Sequence, residues 1–366
     1  MDEPAGITLD ELGLAARNHA LPLEALRYPI TPLGLHYLLV HFDIPAVDLA
    51  SWRLEIGGRV ERPLSLSFEA LRSRPERTLT VTLECAGNGR ALLDPRPPSQ
   101  PWLTEAVGTA EWTGTPLAQL LDETGLADDA LEVVFTGLDR GVQGEVVQDY
   151  ERAIPVAEAL RDEVLLAWVV NGEPLPPQHG YPLRVVVPGW YGMTHVKWLR
   201  AITVVAEPFR GWQQDVAYRL RASEDEQGVP VTRMLPRALM IPPGIPDFFT
   251  RRRIVEPGPC VLEGRAWSGL GAVERVEVGV DGGAWGAAEL DEPLSEWAWR
   301  GWRFVWDAEP GDHELRCRAA DAAGNVQPDE ASWNFDGFCN NAPQRIEVSV
   351  GGAIPRDMGD DSPAAG

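Results

Sequence analysis

The chain has 366 residues, and its 32 Lys and Arg against 55 Asp and Glu give a formal net charge of −23. Because a chain this acidic repels nucleic acid and anionic membrane surfaces, neither is expected as a partner. Any anion that it binds requires a local basic pocket. Hydrophobic residues make up 44% and charged residues 24%, which excludes disorder along the whole chain and, at this length, indicates roughly two or three domains.

The first 30 residues or so are predicted to form a mostly irregular lead-in. They are acidic, they lack an apolar core, and no twin-arginine pair precedes a hydrophobic run, so no signal peptide is expected. No apolar stretch of the sequence reaches the ~20 residues that span a bilayer. The expected location is therefore the cytoplasm.

Short strands mixed with short helices are predicted after the lead-in. Residues 52–56 and 78–85 alternate apolar and polar side chains, which is typical of half-buried strands. A short helix is predicted to begin with Thr115 as its N-cap and Pro116 at its first position, and to end near Gly125. Its apolar residues Leu117, Leu120 and Leu121 are expected to face inward. This mixture indicates an α+β fold.

The last third of the chain is predicted to be all-β. The Pro-rich stretch 236–246 indicates a linker or crossover, and short strands such as 276–280 and 344–350 follow it at regular spacing. That spacing is typical of an immunoglobulin-like β-sandwich, although the Cys…Trp…Cys pattern of true immunoglobulin domains is not evident. We therefore expect four segments: the lead-in 1–30, an α+β domain 31–235, a β-sandwich domain 236–350 and a disordered tail 351–366.

The sharpest local motif is LECAGNGR at residues 83–90. Alternation places Cys85 at the end of a strand, before small residues where backbone can approach a bound group closely. Arg90, five positions on, would favour a thiolate, which is a soft metal ligand. A buried structural cysteine before a turn is the alternative interpretation. No CxxC pair exists, and reduced thiols are expected for the remaining cysteines, Cys260, Cys317 and Cys339.

The segment ECAGNGR resembles the cysteine motif of the sulfite oxidase family of molybdenum enzymes. Further similar segments follow in family order: TGLD (136–139), HGYPLRVVVPG (179–189), GMTHVKWL (192–199), GRAWSG (264–269), WAWR (297–300) and NVQPD (325–329). The resemblance implies a mixed α/β molybdopterin-binding domain followed by an immunoglobulin-like dimerisation domain, and hence a homodimer. It also implies molybdenum and molybdopterin as cofactors; no segment resembles a haem domain, so no haem is expected.

The resemblance implies a role for each matching residue. Cys85 would be the protein ligand to molybdenum. The matches to pterin-binding positions are His41, Asp139, His179, Arg184 and Lys197. The matches to the oxyanion pocket beside the metal are Arg90, Trp102 and Arg300. Three of these residues could instead have a purely structural role. Arg300 could form a cation–π contact at the surface, His41 could be a core histidine, and Lys197 could lie on a solvated strand face.

Two departures from the family pattern bear on the substrate. Leu39 stands where the family carries a substrate-contacting arginine, and Val216 stands at the position of an active-site tyrosine. Tyr218 lies two residues on, which is the same face of an extended strand, and is the candidate substitute. Loss of one charge-assisted hydrogen bond would weaken the binding of a dianion by about 10- to 150-fold.

The function that the resemblance implies is oxidation of sulfite, or of a related small oxyanion, to sulfate. This reaction of sulfur metabolism is an oxygen-atom transfer that passes two electrons to an unidentified acceptor. Two alternatives stay open: a molybdopterin reductase of S-oxides, N-oxides or nitrate, and a non-catalytic relative that only binds the cofactor.

Overall fold

The computed structural model of the chain describes residues 6–351. The predicted tail 351–366 therefore lies outside the described residues, apart from its first residue. The α-helices are short: α1 (Leu9–Arg17), α2 (Phe68–Arg72), α3 (Leu117–Thr124) and α4 (Val156–Ala159). The other helical segments are 3₁₀ turns at Leu23–Arg27, Leu33–Leu35, Arg90–Leu92, Pro177–His179 and Gly192–Thr194, and a π-helical turn at Gln213–Ala217. Over residues 6–351, no helix is long and apolar enough to cross a membrane.

Two sheets dominate the first part of the chain. The first has the strand order β2-β1-β10-β5-β6, with β1 parallel to β10 and the other pairs antiparallel; its strands are β1 (Leu54–Gly58), β2 (Leu64–Leu66), β5 (Glu132–Gln143), β6 (Val146–Pro155) and β10 (Leu199–Val205). The second has the order β3-β4-β7-β8, with β9 also paired to β7; its strands are β3 (Arg77–Glu84), β4 (Val107–Pro116), β7 (Leu165–Val170), β8 (Glu173–Pro174) and β9 (Arg184–Val186).

These two sheets share one apolar core. Alternate residues of β1, Leu54 and Ile56, are buried, and they belong to the same cluster as Phe135 of β5 and Leu166 of β7. This is the pattern that period-two alternation predicts for a half-buried strand. Helix α3 packs on the cluster through the three residues that the sequence predicted to face inward, Leu117, Leu120 and Leu121.

The last part of the chain forms two further sheets, preceded by a short ribbon of β11 (Arg219–Leu220) and β12 (Val229–Pro230). One sheet has the order β13-β16-β20-β19, with strands β13 (Arg237–Met240), β16 (Gly258–Trp267), β19 (Glu289–Leu290) and β20 (Arg300–Ala308). The other has the order β14-β15-β22-β21-β17-β18, with strands β14 (Ile245–Pro246), β15 (Arg253–Val255), β17 (Val273–Val280), β18 (Gly286–Ala287), β21 (Gly311–Asp321) and β22 (Gln344–Val350).

Both of these sheets contribute side chains to one buried cluster. Leu262 of β16 and Trp302 of β20 come from one sheet, and Val276 of β17, Leu315 of β21 and Val348 of β22 come from the other. The shared core makes this part of the chain a two-layer β structure, which agrees with its predicted all-β character. The whole chain is therefore strand-rich with few helices, which agrees with the predicted mixed α+β class.

Three local predictions need correction. Helix α3 has Pro116, not Thr115, as its N-cap, because Thr115 still pairs with Leu166 at the end of β4. The lead-in is less irregular than predicted: α1 begins after a capping box in which Thr8 and Glu11 satisfy each other's backbone N–H groups. The Pro-rich stretch is not only a linker, because its residues 237–240 form β13 and pair with β16.

Candidate active site

Cys85 directly follows strand β3 and lies deep in the protein. It continues the buried face of Val81 and Leu83, and only 7% of the residue is exposed. Burial raises the pKa of the Cys85 thiol, against smaller opposing effects of the Gly87 backbone N–H, the Arg90 guanidinium and the nearby Trp102 indole. Formation of a thiolate at this depth therefore needs a strong cationic partner, such as a metal ion.

The loop after Cys85 is held by residues from the far end of the chain. Gly89 has a φ of +89°, and a Cβ there would lie 3.0 Å from the Asn340 side chain, so only glycine fits. The Asn340 amide donates to the Gly89 carbonyl oxygen at 2.7 Å, and the Cys339 backbone N–H donates to the Ala86 carbonyl oxygen at 2.8 Å. The C-terminal part of the chain thus fixes the loop that presents Cys85.

Arg90 is a buried cation near Cys85. It is 5% exposed; its Nε donates to the backbone carbonyl of Asp336 at 2.8 Å, and its Nη1 donates to that of Gln100 at 3.3 Å. Its guanidinium also lies over the Phe338 ring, 5.0 Å from the centroid. Because its hydrogen-bond partners are neutral carbonyls, its charge remains available to an anion.

One cleft brings together all five residues predicted to bind the pterin. His41, Asp139, His179, Arg184 and Lys197 line it together with Cys85, and it has about 690 Å³ of empty space, open solvent included. These residues are spread over more than 150 positions of sequence and come from both sheets and their connecting loops. The whole chain has a net charge of −23, but the cleft is lined by basic and imidazole side chains. Among its described lining residues, Asp139 carries the single carboxylate. It is the local basic pocket that an anionic ligand requires.

Two cations of this cleft are buried and held by carbonyl oxygens. Lys197 Nζ donates to the carbonyls of Leu39 at 2.8 Å and Gln178 at 3.0 Å, and burial lowers its pKa to about 7. Arg184 donates to the carbonyl of His179 at 3.1 Å, and burial lowers its pKa to about 10. Desolvation makes both charges costly, so an anion in the cleft would stabilise them.

The remaining predicted pterin residues supply hydrogen-bonding groups. Burial raises the pKa of Asp139 to about 7, so this carboxyl group can act as donor or acceptor near neutral pH. Burial lowers the pKa of His179 to about 2, which leaves a neutral imidazole. His41 pairs its Nε2 with Gln143 Oε1 at 2.8 Å, and burial lowers its pKa too. These three side chains can donate and accept hydrogen bonds, as the nitrogen and oxygen atoms of a heterocyclic ring require.

Orphaned polar atoms test whether a cofactor fits this cleft. His36 Nε2, Asp139 Oδ1 and Arg184 Nε are buried without a hydrogen-bond partner in the described chain, although buried polar atoms are normally paired. No group of three or more His, Cys, Asp or Glu that could hold a metal occurs among residues 6–351. A metal at Cys85 would therefore need ligands from a bound cofactor. These residues fit a molybdenum–molybdopterin group with its dithiolene and phosphate.

Tyr218 lies at the same site as Cys85. It lines the cleft, is 7% exposed, and has its ring 5.0 Å from that of Phe338. Leu39 also lines the cleft, whereas Val216 lies further out and is 38% exposed. Both departures from the family pattern thus put apolar side chains near the cleft or along the path that leads to it.

Arg300 is a correction to the predicted site. It lies on β20, and its guanidinium donates to the backbone carbonyls of Asp291 at 2.6 Å and Val273 at 3.0 Å, away from the residues that line the cleft. Those carbonyls hold it inside the β-rich part of the chain. The C-terminal residues that do reach the path to Cys85 lie later, at Trp333, Phe335, Asp336 and Phe338.

Two histidines that line the cleft were not among the predicted site residues. His36 lies edge-on to His179, 5.8 Å between ring centroids, and burial lowers its pKa to about 4. His195 accepts the Val187 N–H at Nδ1 and donates from Nε2 to the Trp190 carbonyl, so it orients backbone. His195 stood inside the quoted segment 192–199, but alternation alone does not distinguish a ligand-facing histidine from one that bonds backbone.

Comparison with known proteins agrees with this geometry. The oxidoreductase molybdopterin binding domain matches residues 41–213, and the Mo-co oxidoreductase dimerisation domain matches residues 250–351. The chain is similar to the sulfane dehydrogenase SoxCD from Paracoccus pantotrophus, with a TM-score of 0.78, 26% identity and coverage of 96% of this chain and 94% of that chain.

Similar sequences include oxidases and reductases. Sulfite oxidase of Arabidopsis thaliana is 33% identical over 358 residues, which cover 88% of each chain. Mitochondrial sulfite oxidase of Mus musculus is 38% identical over 88% of this chain, which spans 62% of the mouse protein's length. Nitrate reductase [NADH] 1 of Arabidopsis thaliana is 32% identical over 91% of this chain and 40% of its own length. The chain therefore belongs to the sulfite oxidase family of molybdopterin-dependent oxidoreductases.

Proposed function

We propose that this protein oxidises a small sulfur oxyanion by oxygen-atom transfer, in the manner of sulfite oxidase. The observation that carries the proposal is the convergence of the Cys85 thiol and five predicted pterin-binding residues on one cleft. A bound molybdenum–molybdopterin would supply the oxygen-atom transfer and the storage of two electrons. The chain's own residues would bind that group, orient the substrate and exclude water.

Each residue has a task that follows from its surroundings. Cys85 would supply the thiolate ligand to the metal. Arg184 and Lys197, both buried cations held by carbonyl oxygens, would neutralise the phosphate. Asp139 and His41 would hydrogen-bond the ring.

The substrate end would be built by a second group of residues. Arg90 would attract the substrate anion, because its guanidinium is buried and its bonded partners are neutral. The indole of Trp102, which is 4% exposed, and the hydroxyl of Tyr218 would line the same space. Since burial raises the pKa of Tyr218 to about 12, its hydroxyl stays protonated and can donate to an oxyanion.

The domain organisation belongs to the same proposal. We infer an active-site domain over residues 31–235 and an immunoglobulin-like dimerisation domain over 236–350. The match to a dimerisation domain and the two-layer β structure support this division and a homodimer. Reduction of nitrate, or of an S-oxide or N-oxide, is the second candidate activity; the nitrate reductase among the similar sequences favours it.

The cofactor content and one substitution test the proposal. Purified protein should contain molybdenum and pterin, and it should reduce ferricyanide when sulfite is added. Cys85→Ser should stay folded but lose both metal and activity, because a serine hydroxyl does not replace a soft thiolate. Cys260→Ser, in β16, is the matched control and should behave like the wild type. Full activity in Cys85→Ser would contradict the proposal.

A further inference from the structure

A second cavity connects the cofactor cleft with the surface, and we name it the access channel. It shares Cys85, Leu39 and Tyr218 with the cleft and has about 1750 Å³ of empty space, open solvent included. Most of its lining residues lie within the segments 39–42, 95–102, 212–218 and 333–338. Any substrate that reaches Cys85 by this route must pass these walls, so their chemistry selects it.

The outer charges of the access channel are mostly neutralised. Arg221 and Asp336 form a bidentate pair at 2.7 and 3.1 Å, and Arg96 is bonded to Glu11. Arg17 lies exposed on α1, where solvent and salt screen its charge. The outer channel therefore offers an anion little net positive charge.

The inner end of the access channel differs, because Arg90 is buried there. Its guanidinium bonds the carbonyl oxygens of Asp336 and Gln100 and stacks on Phe338, and no ion pair with it occurs in the described part of the chain. His41 also lines the channel, but burial lowers its pKa, so it is neutral near pH 7. One buried positive charge without a counter-ion matches a ligand with one negative charge.

Apolar side chains form part of the wall between these two ends, beside polar residues such as Gln143. Leu39 and Val216 line the channel with the Trp212 indole, whose ring lies close against Gly144. Trp333 is 40% exposed at the outer part, and its indole donates to the Pro95 carbonyl at 2.8 Å, which holds the ring in place. Fixed aromatic and aliphatic walls of this kind bind an apolar substituent without a large loss of side-chain entropy.

We propose that the access channel selects an organic sulfinate, R–SO₂⁻, in preference to inorganic sulfite. The two sulfinate oxygens would accept hydrogen bonds from the N–H groups of the Arg90 guanidinium, and the substituent R would lie against Leu39 and Val216. Sulfite as a dianion carries a second charge that these walls do not neutralise, and it has no apolar part to bury. The proposal rests on the oxidoreductase function proposed above.

The reaction balances as R–SO₂⁻ + H₂O → R–SO₃⁻ + 2H⁺ + 2e⁻. One S–O bond forms, the sulfur loses two electrons, and water supplies the oxygen. Both protons go to solvent, and two equivalents of a one-electron acceptor, ferricyanide in the assay, take the electrons. The product is a sulfonate that keeps a single negative charge, so it matches the same channel.

Steady-state kinetics of the holoenzyme test the preference with sulfite, methanesulfinate and benzenesulfinate. We expect benzenesulfinate to have a kcat/KM about 10-fold or more above that of sulfite, with methanesulfinate between them. Leu39→Arg adds a cation to the wall and should lower the benzenesulfinate-to-sulfite ratio about 10- to 100-fold. Leu131→Arg, at a 44% exposed position outside the channel, is the matched control and should leave the ratio unchanged.

Calorimetric binding of the products gives a readout that needs no turnover. Benzenesulfonate should bind at least about 10-fold more tightly than sulfate, and Arg90→Gln should weaken both. If the holoenzyme oxidises sulfite but no sulfinate, and benzenesulfonate binds no better than sulfate, the substrate proposal is overturned while the oxidoreductase proposal stands. If protein with full metal and pterin content oxidises neither kind of substrate, both proposals are overturned.

Discussion

The buried ion pair between Glu84 and Arg237 allows a quantitative test of how the two parts of the chain are joined. Arg237, on β13, lies 3.1 Å from the carboxylate of Glu84, the residue before Cys85, and each side chain is only 2% exposed. Glu84 also accepts the Trp267 indole N–H at 2.8 Å and the Asn88 amide at 3.0 Å. The pair therefore ties a strand of the C-terminal part to the cysteine loop.

Arg237→Met would leave the Glu84 carboxylate buried without its cation. At 3.1 Å and an effective dielectric constant of about 20, the attraction between the charges is about 5 kcal/mol. Removal of one partner from a buried pair typically costs about 3–5 kcal/mol. Glu84 keeps its two N–H donors, and burial raises its pKa, so the carboxylate can take up a proton once Arg237 is removed. We therefore expect a loss near the lower limit, about 3 kcal/mol in the free energy of unfolding.

Urea unfolding, followed by tryptophan fluorescence and by circular dichroism, measures this loss. Arg303→Met is the matched control: Arg303 pairs with Glu289 at 3.4 Å, but the side chains are 54% and 71% exposed, so its loss should stay below about 1 kcal/mol. Adding Glu84→Gln to Arg237→Met removes the orphaned charge and should recover part of the stability. Equal losses in Arg237→Met and Arg303→Met would refute the reasoning.

Three further outcomes follow from the structure. The hydrogen bond from Arg96 is the main cause that lowers the pKa of Glu11 from its ordinary 4.5 to about 2. The stability that the ionised Glu11 contributes is therefore complete above pH 4.5 and is lost as the pH falls through 2. Glu11→Gln should remove this part of the acid dependence of the free energy of unfolding. Gly114→Ala would put a Cβ 2.0 Å from the Leu166 carbonyl oxygen and should cost about 2 kcal/mol or more in thermal unfolding, whereas Gly57→Ala, with no atom within 4 Å, should cost little. Light scattering at micromolar concentration should give the mass of a homodimer, and a monomer mass would contradict the assembly inferred from the dimerisation domain.

Local patterns in the sequence predicted the strand that leads to Cys85, the inward face of α3 and the short strands of the C-terminal part. These features depend on alternation and helix periodicity, which are set by neighbouring residues alone. The capping box of Thr8 and Glu11 was equally local, and its T-x-x-E spacing would have revealed α1 in the predicted lead-in. The strand β13 was harder to find, because its flanking prolines resemble a linker until β16 pairs with it.

The composition and motifs of the sequence determined by themselves that the chain is an acidic, strand-rich protein with a cysteine motif of the sulfite oxidase family. Only the tertiary structure decided which side chains meet at Cys85. It placed Arg300 within the β-rich part of the chain and brought Phe338 and the Asp336 backbone beside Arg90, almost 250 positions away in sequence. Where an arginine side chain points depends on which sheets pack together and on which carbonyl oxygens accept hydrogen bonds from its guanidinium. Those partners lie far away in the sequence, so no short-range pattern predicts them.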